Sequence, residues 1–456
     1  MADGNDYSNV SATPESGTPS TSRGQWAGHL GFILAATGSA IGLGNIWKFP
    51  YITGVYGGGA FVLVYLIAVV IVGLPLMLAE LMIGRKAEVN PVGAFQKLHK
   101  PYSAWAGTGW LAVVATFLIM SFYCVVAGWA LAFIFKSIVG FSGTPDQIQG
   151  EFLSLAGSAG QSILWHTIFL AASIAIVIGG IQRGIERWSK ILMPMLFAIL
   201  LGLMLYGLFG TDSGVEALNF LFNPNFSELS AEGMLSALGH AFFTLSIGMG
   251  IMITYGSYMR KEESLLRDAV TISFLDTLIA LMAGIAIFSM VFQYNMEPGQ
   301  GVGLIFQTLP VLFAETGPWV SVPFFILLTF AALTSAISGI EVVVSYFIDR
   351  RGWSRTAATI SVGAAMWLFG MLSASWSSVF DFFDDLTTNY MLPIGGFLTC
   401  LFTAWVMKNK DRIEEFGSSG ILYRGLIFTL KFITPIAVLI VILHGLQLLP
   451  FMEYPE

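Results

Sequence analysis

This chain of 456 residues reads as an all-α polytopic membrane protein of eleven transmembrane helices, on three observations. Hydrophobic residues make up 55% of it and charged residues 11%, with a mean hydropathy of +0.76. A soluble globular chain of this length does not reach those values. Apolar segments of about 20 residues or more recur along it, the length a helix needs to cross roughly 30 Å of hydrocarbon. The connections between them alternate between basic and not basic, as in a chain threaded back and forth through a bilayer.

Residues 1–25 are rich in Ser, Thr, Gly and Pro and lack an apolar core, so they predict a disordered cytoplasmic tail rather than a signal peptide. The spans follow near 28–55, 60–83, 105–138, 161–180, 186–208, 234–258, 265–293, 320–348, 355–373, 376–407 and 427–449. Connections 84–104, 181–190, 259–267, 350–355 and 408–431 carry lysines and arginines, from Arg85 to Lys431, whereas 139–160, 209–233, 294–319 and 373–380 carry none. The basic connections face the cytoplasm, which places Arg23 and the N-terminus inside and, after an odd number of spans, Glu453 to Glu456 outside. The net charge of −7 therefore says little about partners, and a nucleic-acid role is excluded. Cys124 and Cys400 both fall within spans, so no extracellular disulfide framework is expected. Histidines 29, 99, 166, 240 and 444 have no metal-ligand spacing, which argues against haem or zinc chemistry.

Span 1 contains Gly38-Ser39-Ala40-Ile41-Gly42-Leu43-Gly44-Asn45-Ile46-Trp47-Lys48-Phe49-Pro50, which cannot be a continuous helix at membrane depth. Irregular backbone survives there only where it faces protein, a cavity or a ligand. Span 6 contains Gly239-His240-Ala241-Phe242-Phe243-Thr244-Leu245-Ser246-Ile247-Gly248-Met249-Gly250, again small and hydroxyl residues in mid-span. Either segment alone is equally compatible with close helix packing. Two of them five helices apart favour a pair of five-helix repeats, the second inverted in the membrane.

The depth of the polar groups points to ions. Asp276 lies about 12 residues into span 7, roughly 17 Å from its edge at about 1.5 Å per residue. A charge there needs a counter-ion or a proton. Thr334 and Ser335, just after Ala331 in span 8, sit at similar depth and offer the hard oxygens that suit an alkali cation. Isolated hydroxyls more often bond back to their own helix. Asp276 makes a purely structural reading harder.

Four runs carry a resemblance: Gly42 through Phe49-Pro50, Gly57-Gly58-Gly59-Ala60-Phe61, Gly184-Ile185-Glu186-Arg187 through Pro194, and Phe242-Phe243-Thr244-Leu245-Ser246. Together they resemble the neurotransmitter:sodium symporter family, from Arg23 to the last span, and most of all its bacterial eleven-span members that carry varied hydrophobic amino acids. The resemblance implies a leucine-transporter (LeuT) type 5+5 inverted repeat. Spans 1–5 within 26–208 form one copy, spans 6–10 within 234–407 the other, and span 11 at 427–449 stands apart. It also implies two sodium sites. The first draws on the Ala40 carbonyl, Asn45, Thr244, Asp276 and the substrate carboxylate; the second on the Gly38, Ile41 and Ala331 carbonyls with Thr334 and Ser335. Asp276 stands where the leucine transporter has asparagine, and Ala280 where chloride-dependent relatives have serine. We expect the fixed charge of Asp276 to make chloride unnecessary.

Monoamine members place an aspartate at the position of Gly42. Glycine there leaves backbone N–H groups for a carboxylate, so the expected substrate is an L-α-amino acid bound between Ala40, Gly42, Gly44 and Tyr123. Ile119, Phe243, Thr244, Ser246, Met249, Ser335 and Gly339 would line its side-chain pocket, with Met249 and Gly339 making room for leucine through tryptophan. Lys48 and Asp384 match the family's outer gate; Arg23, Trp26 and Asp349 match its cytoplasmic latch, with Ser257, Tyr258 and Glu341 nearby. Gly184 and Pro194 bracket a segment of span 5 that the resemblance implies can unwind and admit water to the second sodium site, the simpler alternative being a helix cap followed by a packing kink. The expected protein is thus a sodium-coupled carrier in a bacterial inner membrane, with no enzyme constellation and no obligate protein partner implied. A channel or amino-acid sensor on the same scaffold is the alternative.

Overall fold

The computed structural model describes residues 24–294 and 303–449. Residues 1–23 of the predicted tail, Arg23 among them, and the terminal Glu453 to Glu456 lie outside the described residues. Within those limits the secondary structure is helical throughout.

Among the described residues, nine helices are long and apolar enough to cross a membrane. They are Gly59–Ala87, Ala106–Val139, Ala159–Ile178, Ile181–Gly210, Leu265–Gln293, Pro318–Arg351, Arg355–Ser375, Ser377–Val406 and Ile421–Gly445. His29–Ala40 and Gly44–Val55 form a tenth, bent by 50° at its break. The one remaining predicted span, span 6, is the pair Ala231–Thr244 and Ile251–Gly256, whose halves of 14 and 6 residues are each too short to cross alone. Spans 1 and 6 are therefore the two broken ones. Span 11 begins at Ile421, earlier than the apolar run suggests, because Arg424 interrupts the pattern. An arginine near a helix end can reach the interface with its head group.

Five of the seven wide, π-helical turns end two residues before a proline: Gly44–Lys48, Val69–Gly73, Leu304–Thr308, Leu386–Met391 and Thr429–Ile433, followed by Pro50, Pro75, Pro310, Pro393 and Pro435. Proline lacks an N–H and crowds the carbonyl four residues back; one extra residue in the turn moves that carbonyl aside.

Short helices that the sequence pattern left as connections pack on the ends of the bundle. Pro91–Leu98 starts at Asn90, whose Oδ1 accepts from Gly93 N–H at 3.0 Å, and Pro145–Ala156 starts at a Thr144/Gln147 capping box. Asn409–Phe416 is fixed by buried Arg85, which donates to Glu415 Oε2 and its carbonyl at 2.6 Å each. The Lys86 ammonium, 2.8 Å from Glu414 Oε2, holds that exposed carboxyl below its usual range. Spans 3 and 8, each a 34-residue helix, run side by side through the middle, and the two breaks lie against them.

Candidate functional site

Both breaks use backbone conformations that a helix does not. At Ile41 the chain becomes extended (φ −73°, ψ 102°), and in span 6 Ser246, Gly248 and Gly250 take φ of +55°, +82° and +69°. A left-handed serine costs on the order of 1–3 kcal/mol, so it persists only where surrounding contacts hold it. Ser246 Oγ donates to the Ser39 carbonyl at 3.0 Å, and Gly248 N–H donates to Glu80 Oε1 at 2.8 Å. Glycine is required at 248, where a Cβ would lie 2.5 Å from the Leu392 carbonyl oxygen.

The break in span 1 is satisfied by a side chain of its own span and by spans 3 and 8. Gly42 N–H donates to Asn45 Oδ1 at 3.1 Å and Leu43 N–H to the Tyr123 hydroxyl at 3.3 Å. Ser335 Oγ reaches the Ser39 and Ile41 carbonyls at 3.2 and 3.4 Å. A Cβ at Gly42 would lie 2.7 Å from Ser335 Oγ and 3.1 Å from the Tyr123 hydroxyl, so an acidic side chain has no room there.

Asp276 is fully buried beside these breaks. Asn45 Nδ2 donates to its Oδ1 at 2.8 Å and to its carbonyl at 3.1 Å, and Thr244 Oγ1 lies 3.1 and 3.0 Å from its two carboxylate oxygens. Neither donor carries a charge, and no lysine, arginine or histidine pairs with Asp276 among the described residues. A buried carboxylate in that setting is complementary to a cation. The spot thus brings Asn45, Thr244 and Asp276 together, with Ala40 on the adjoining cavity wall.

Residues expected at the second ion site are neighbours in the structure. The β-carbon position of Gly38 lies 3.1 Å from Thr334 Cβ. Thr334 Oγ1 donates back to the Ala331 carbonyl at 3.0 Å, and Ser335 joins Ile41. A hydroxyl that donates its proton this way still presents lone pairs. No group of three or more His, Cys, Asp or Glu side chains suited to a metal occurs among the described residues, so the ligand chemistry on offer is that of hydroxyls, carbonyls and one carboxylate.

Between the breaks lies a cavity of about 30 Å³. Ala40, Gly42, Gly44, Ile119, Tyr123, Phe243, Thr244, Ser246, Met249 and Ser335 line it, together with Ser39, Leu43, Met120 and Ile251. Gly339 does not: it sits behind Met120, which the sequence reading passed over because a methionine on an apolar helix gives no signal. Glu80 was also passed over, although a single carboxylate inside an apolar run is a signal in itself.

The predicted outer pair, Lys48 and Asp384, faces a second cavity of about 220 Å³ that shares Leu43, Gly44, Tyr123 and Phe243 with the first. The two residues form no ion pair. Lys48 Nζ lies 4.7 Å from the centre of the Phe243 ring, while Thr388 Oγ1 donates to Asp384 Oδ1 at 3.0 Å. At the basic face Trp26 is fully buried, with Nε1 donating to the Tyr255 carbonyl at 3.1 Å. Glu341 accepts from the Tyr258 hydroxyl at 2.7 Å and from Arg355 at 2.7 and 3.0 Å. Asp349 Oδ2 accepts from Asn90 N–H at 2.7 Å, which ties span 8 to the helix Pro91–Leu98. Ser257 Oγ turns back to the Thr254 carbonyl at 2.5 Å.

Comparison with known proteins agrees with this architecture. The family model described as the sodium:neurotransmitter symporter family matches residues 23–142 and 150–456. The uncharacterized sodium-dependent transporter YhdH of Bacillus subtilis (strain 168) is 36% identical over 446 residues, covering 94% of this chain and 98% of the relative. An uncharacterized sodium-dependent transporter of Haemophilus influenzae is 31% identical over 458 residues, covering 94% and 99%. The crystal structure of MhsT in complex with L-phenylalanine superposes with a TM-score of 0.86 at 43% identity, over 93% of this chain and 100% of that one. With its two broken spans and this match along nearly its whole length, the chain belongs to the sodium:neurotransmitter symporter family.

Proposed function

We propose that the chain is a sodium-coupled symporter of hydrophobic L-amino acids, aliphatic to aromatic, working by alternating access across a bacterial inner membrane. The observation that carries this reading is the buried Asp276, which has only neutral donors and lies next to a small cavity walled by apolar groups and freed backbone. One sodium ion would take the Ala40 carbonyl, Asn45, Thr244 and Asp276; a second would take the carbonyls of Gly38, Ile41 and Ala331 with Thr334 and Ser335. The substrate carboxylate would lie at Gly42, Gly44 and Tyr123, where no acidic side chain fits. The solved relative bound to phenylalanine supports an amino-acid substrate with an apolar side chain.

Coupling follows from geometry. The first ion would draw on the broken spans 1 and 6 and the continuous span 7, the second on span 1 and the continuous span 8, so each ion would hold a break against a helix that does not break. A ligand shifts a conformational equilibrium only through unequal affinity for the two states. With the basic face cytoplasmic, the contacts of Trp26, Tyr258, Glu341 and Arg355 close the inner side, and the cavity at Lys48 and Asp384 lies toward the outside. The two five-helix repeats, within 26–208 and 234–407, would be the units that rearrange. Binding of each of the twenty amino acids to the purified protein, with and without sodium, tests the reading. Sodium-dependent binding confined to apolar side chains is expected; binding of polar amino acids alone, or binding indifferent to sodium, would overturn it.

A further inference from the structure

We propose that the groove between spans 3, 8 and 9, near the basic face, binds one anionic phospholipid, with an acyl chain between the helices and the phosphate at Arg350 and Arg351. This needs only the membrane setting of the fold and stands apart from the transport reading. The groove holds about 350 Å³, against about 30 Å³ between the breaks. Trp110 and Phe117 of span 3, Val343 and Phe347 of span 8 and Ala365 of span 9 line it, with Trp353 of the basic connection after span 8. Trp110 and Trp353 are 43% and 41% exposed, so the groove is open on its outer side. No charged residue lines it, and only Tyr346 and Ser361 bring a hydroxyl. Such walls suit an aliphatic chain and offer nothing to an ion or to the polar end of an amino acid.

Its direction matches a lipid tail. Tryptophans favour the membrane interface, and here each is held by a neighbour on span 8: Trp110 lies 4.6 Å from the Tyr346 ring and Trp353 stacks on Phe347 at 4.9 Å. From Trp110 to Phe117 span 3 rises about 10 Å, at about 1.5 Å per residue, out of roughly 15 Å of hydrocarbon in one leaflet. The charge lies where a phosphate would be. Val343, Phe347, Arg350 and Arg351 recur at three- and four-residue spacing, so the two arginines continue the groove face of span 8 by one turn. Both are exposed and have no hydrogen bond or ion pair with a described residue. The other cations nearby are committed, Arg355 to Glu341 at 2.7 and 3.0 Å and Lys97 to the Ala87 carbonyl at 2.7 Å. Arg350 also lines a polar cavity of about 350 Å³ with Gln96 and Lys97; Asp349, the acid of that cavity, accepts from Asn90. An arginine at a membrane surface favours an anionic lipid by about fivefold.

The test is native mass spectrometry of the purified protein in detergent, incubated with equal amounts of phosphatidylglycerol and phosphatidylcholine of the same chains. The wild type should retain one phosphatidylglycerol, preferred about tenfold. Arg350→Gln with Arg351→Gln should bring the preference to within about twofold of unity. Ala365→Phe, which fills the groove, should lower retention of both lipids about fivefold and leave the preference between them unchanged. The arginine variant lies on the surface and decides the matter alone if Ala365→Phe does not fold. Equal retention of the two lipids by the wild type, or a preference that survives loss of both arginines, would overturn the proposal. So would displacement of the lipid by an equal concentration of glycerol 3-phosphate, which carries the charge without the chain.

Discussion

Asp276 is the residue on which the account turns, because its charge has no partner among the described residues other than neutral donors. Asp276→Asn keeps the shape and removes the charge. The sodium concentration for half-maximal leucine binding should rise by about tenfold or more, the effect of losing roughly 1.4 kcal/mol of ion affinity; an unchanged value would remove Asp276 from the ion site. In the wild type, replacing chloride by gluconate should leave uptake unchanged if, as proposed, the fixed carboxylate stands in for the negative charge beside the ion. A sharp fall would contradict that role. Asp276 was legible in the sequence because depth can be counted from a span edge and a charge in hydrocarbon has few reasons to be there. Met120 was not legible, since which apolar side chain fills the recess beside Gly339 depends on how spans 3 and 8 meet. Lys48 and Asp384 line one cavity, but Lys48 lies over the Phe243 ring and Asp384 accepts from Thr388.

Among the elements, the two broken spans were readable from glycines, hydroxyls and Asn45 in otherwise apolar runs, whereas the groups that hold the breaks open come from distant helices. Glu80 is the clearest case: its carboxylate accepts the N–H of Gly248, in the middle of the span 6 break. Glu80→Ala leaves that buried donor without its acceptor, at a loss of about 1–3 kcal/mol. The thermal unfolding midpoint in detergent should fall, and Glu80→Gln, which keeps an acceptor oxygen, should recover most of the loss; no change in either variant would mean the break is held by packing alone. Span 5 opens with the wide turn Ile181–Glu186, and Met193 packs on Gly38, one of the residues proposed for the second ion. Amide exchange across residues 184–194 should therefore slow when sodium is added. Exchange indifferent to sodium would make Gly184 and Pro194 a cap and a packing kink.

At the scale of the whole molecule, buried bonds tie spans together at the basic face, the side proposed to be closed, while the cavity at Lys48 and Asp384 shares walls with the site. Glu341 is central to the closed side, because it neutralises Arg355 and accepts from Tyr258. Glu341→Gln should open that side, seen as several-fold faster labelling of a cysteine placed at Ser257 by a reagent applied from the basic face; unchanged labelling would mean other contacts suffice. The span count and the charge alternation were legible because hydropathy and lysine–arginine bias act on whole segments. The short end helices were not, because they are held by side-chain contacts between residues far apart in sequence, such as Asn90 with Asp349 and Arg85 with Glu415. The most direct measurement of the central claim is leucine accumulation in proteoliposomes under an inward sodium gradient, with potassium outside as the control. The account predicts saturable accumulation above the external concentration that collapses when the gradient is dissipated; leucine that merely equilibrates, at the same rate in sodium and potassium, would contradict it.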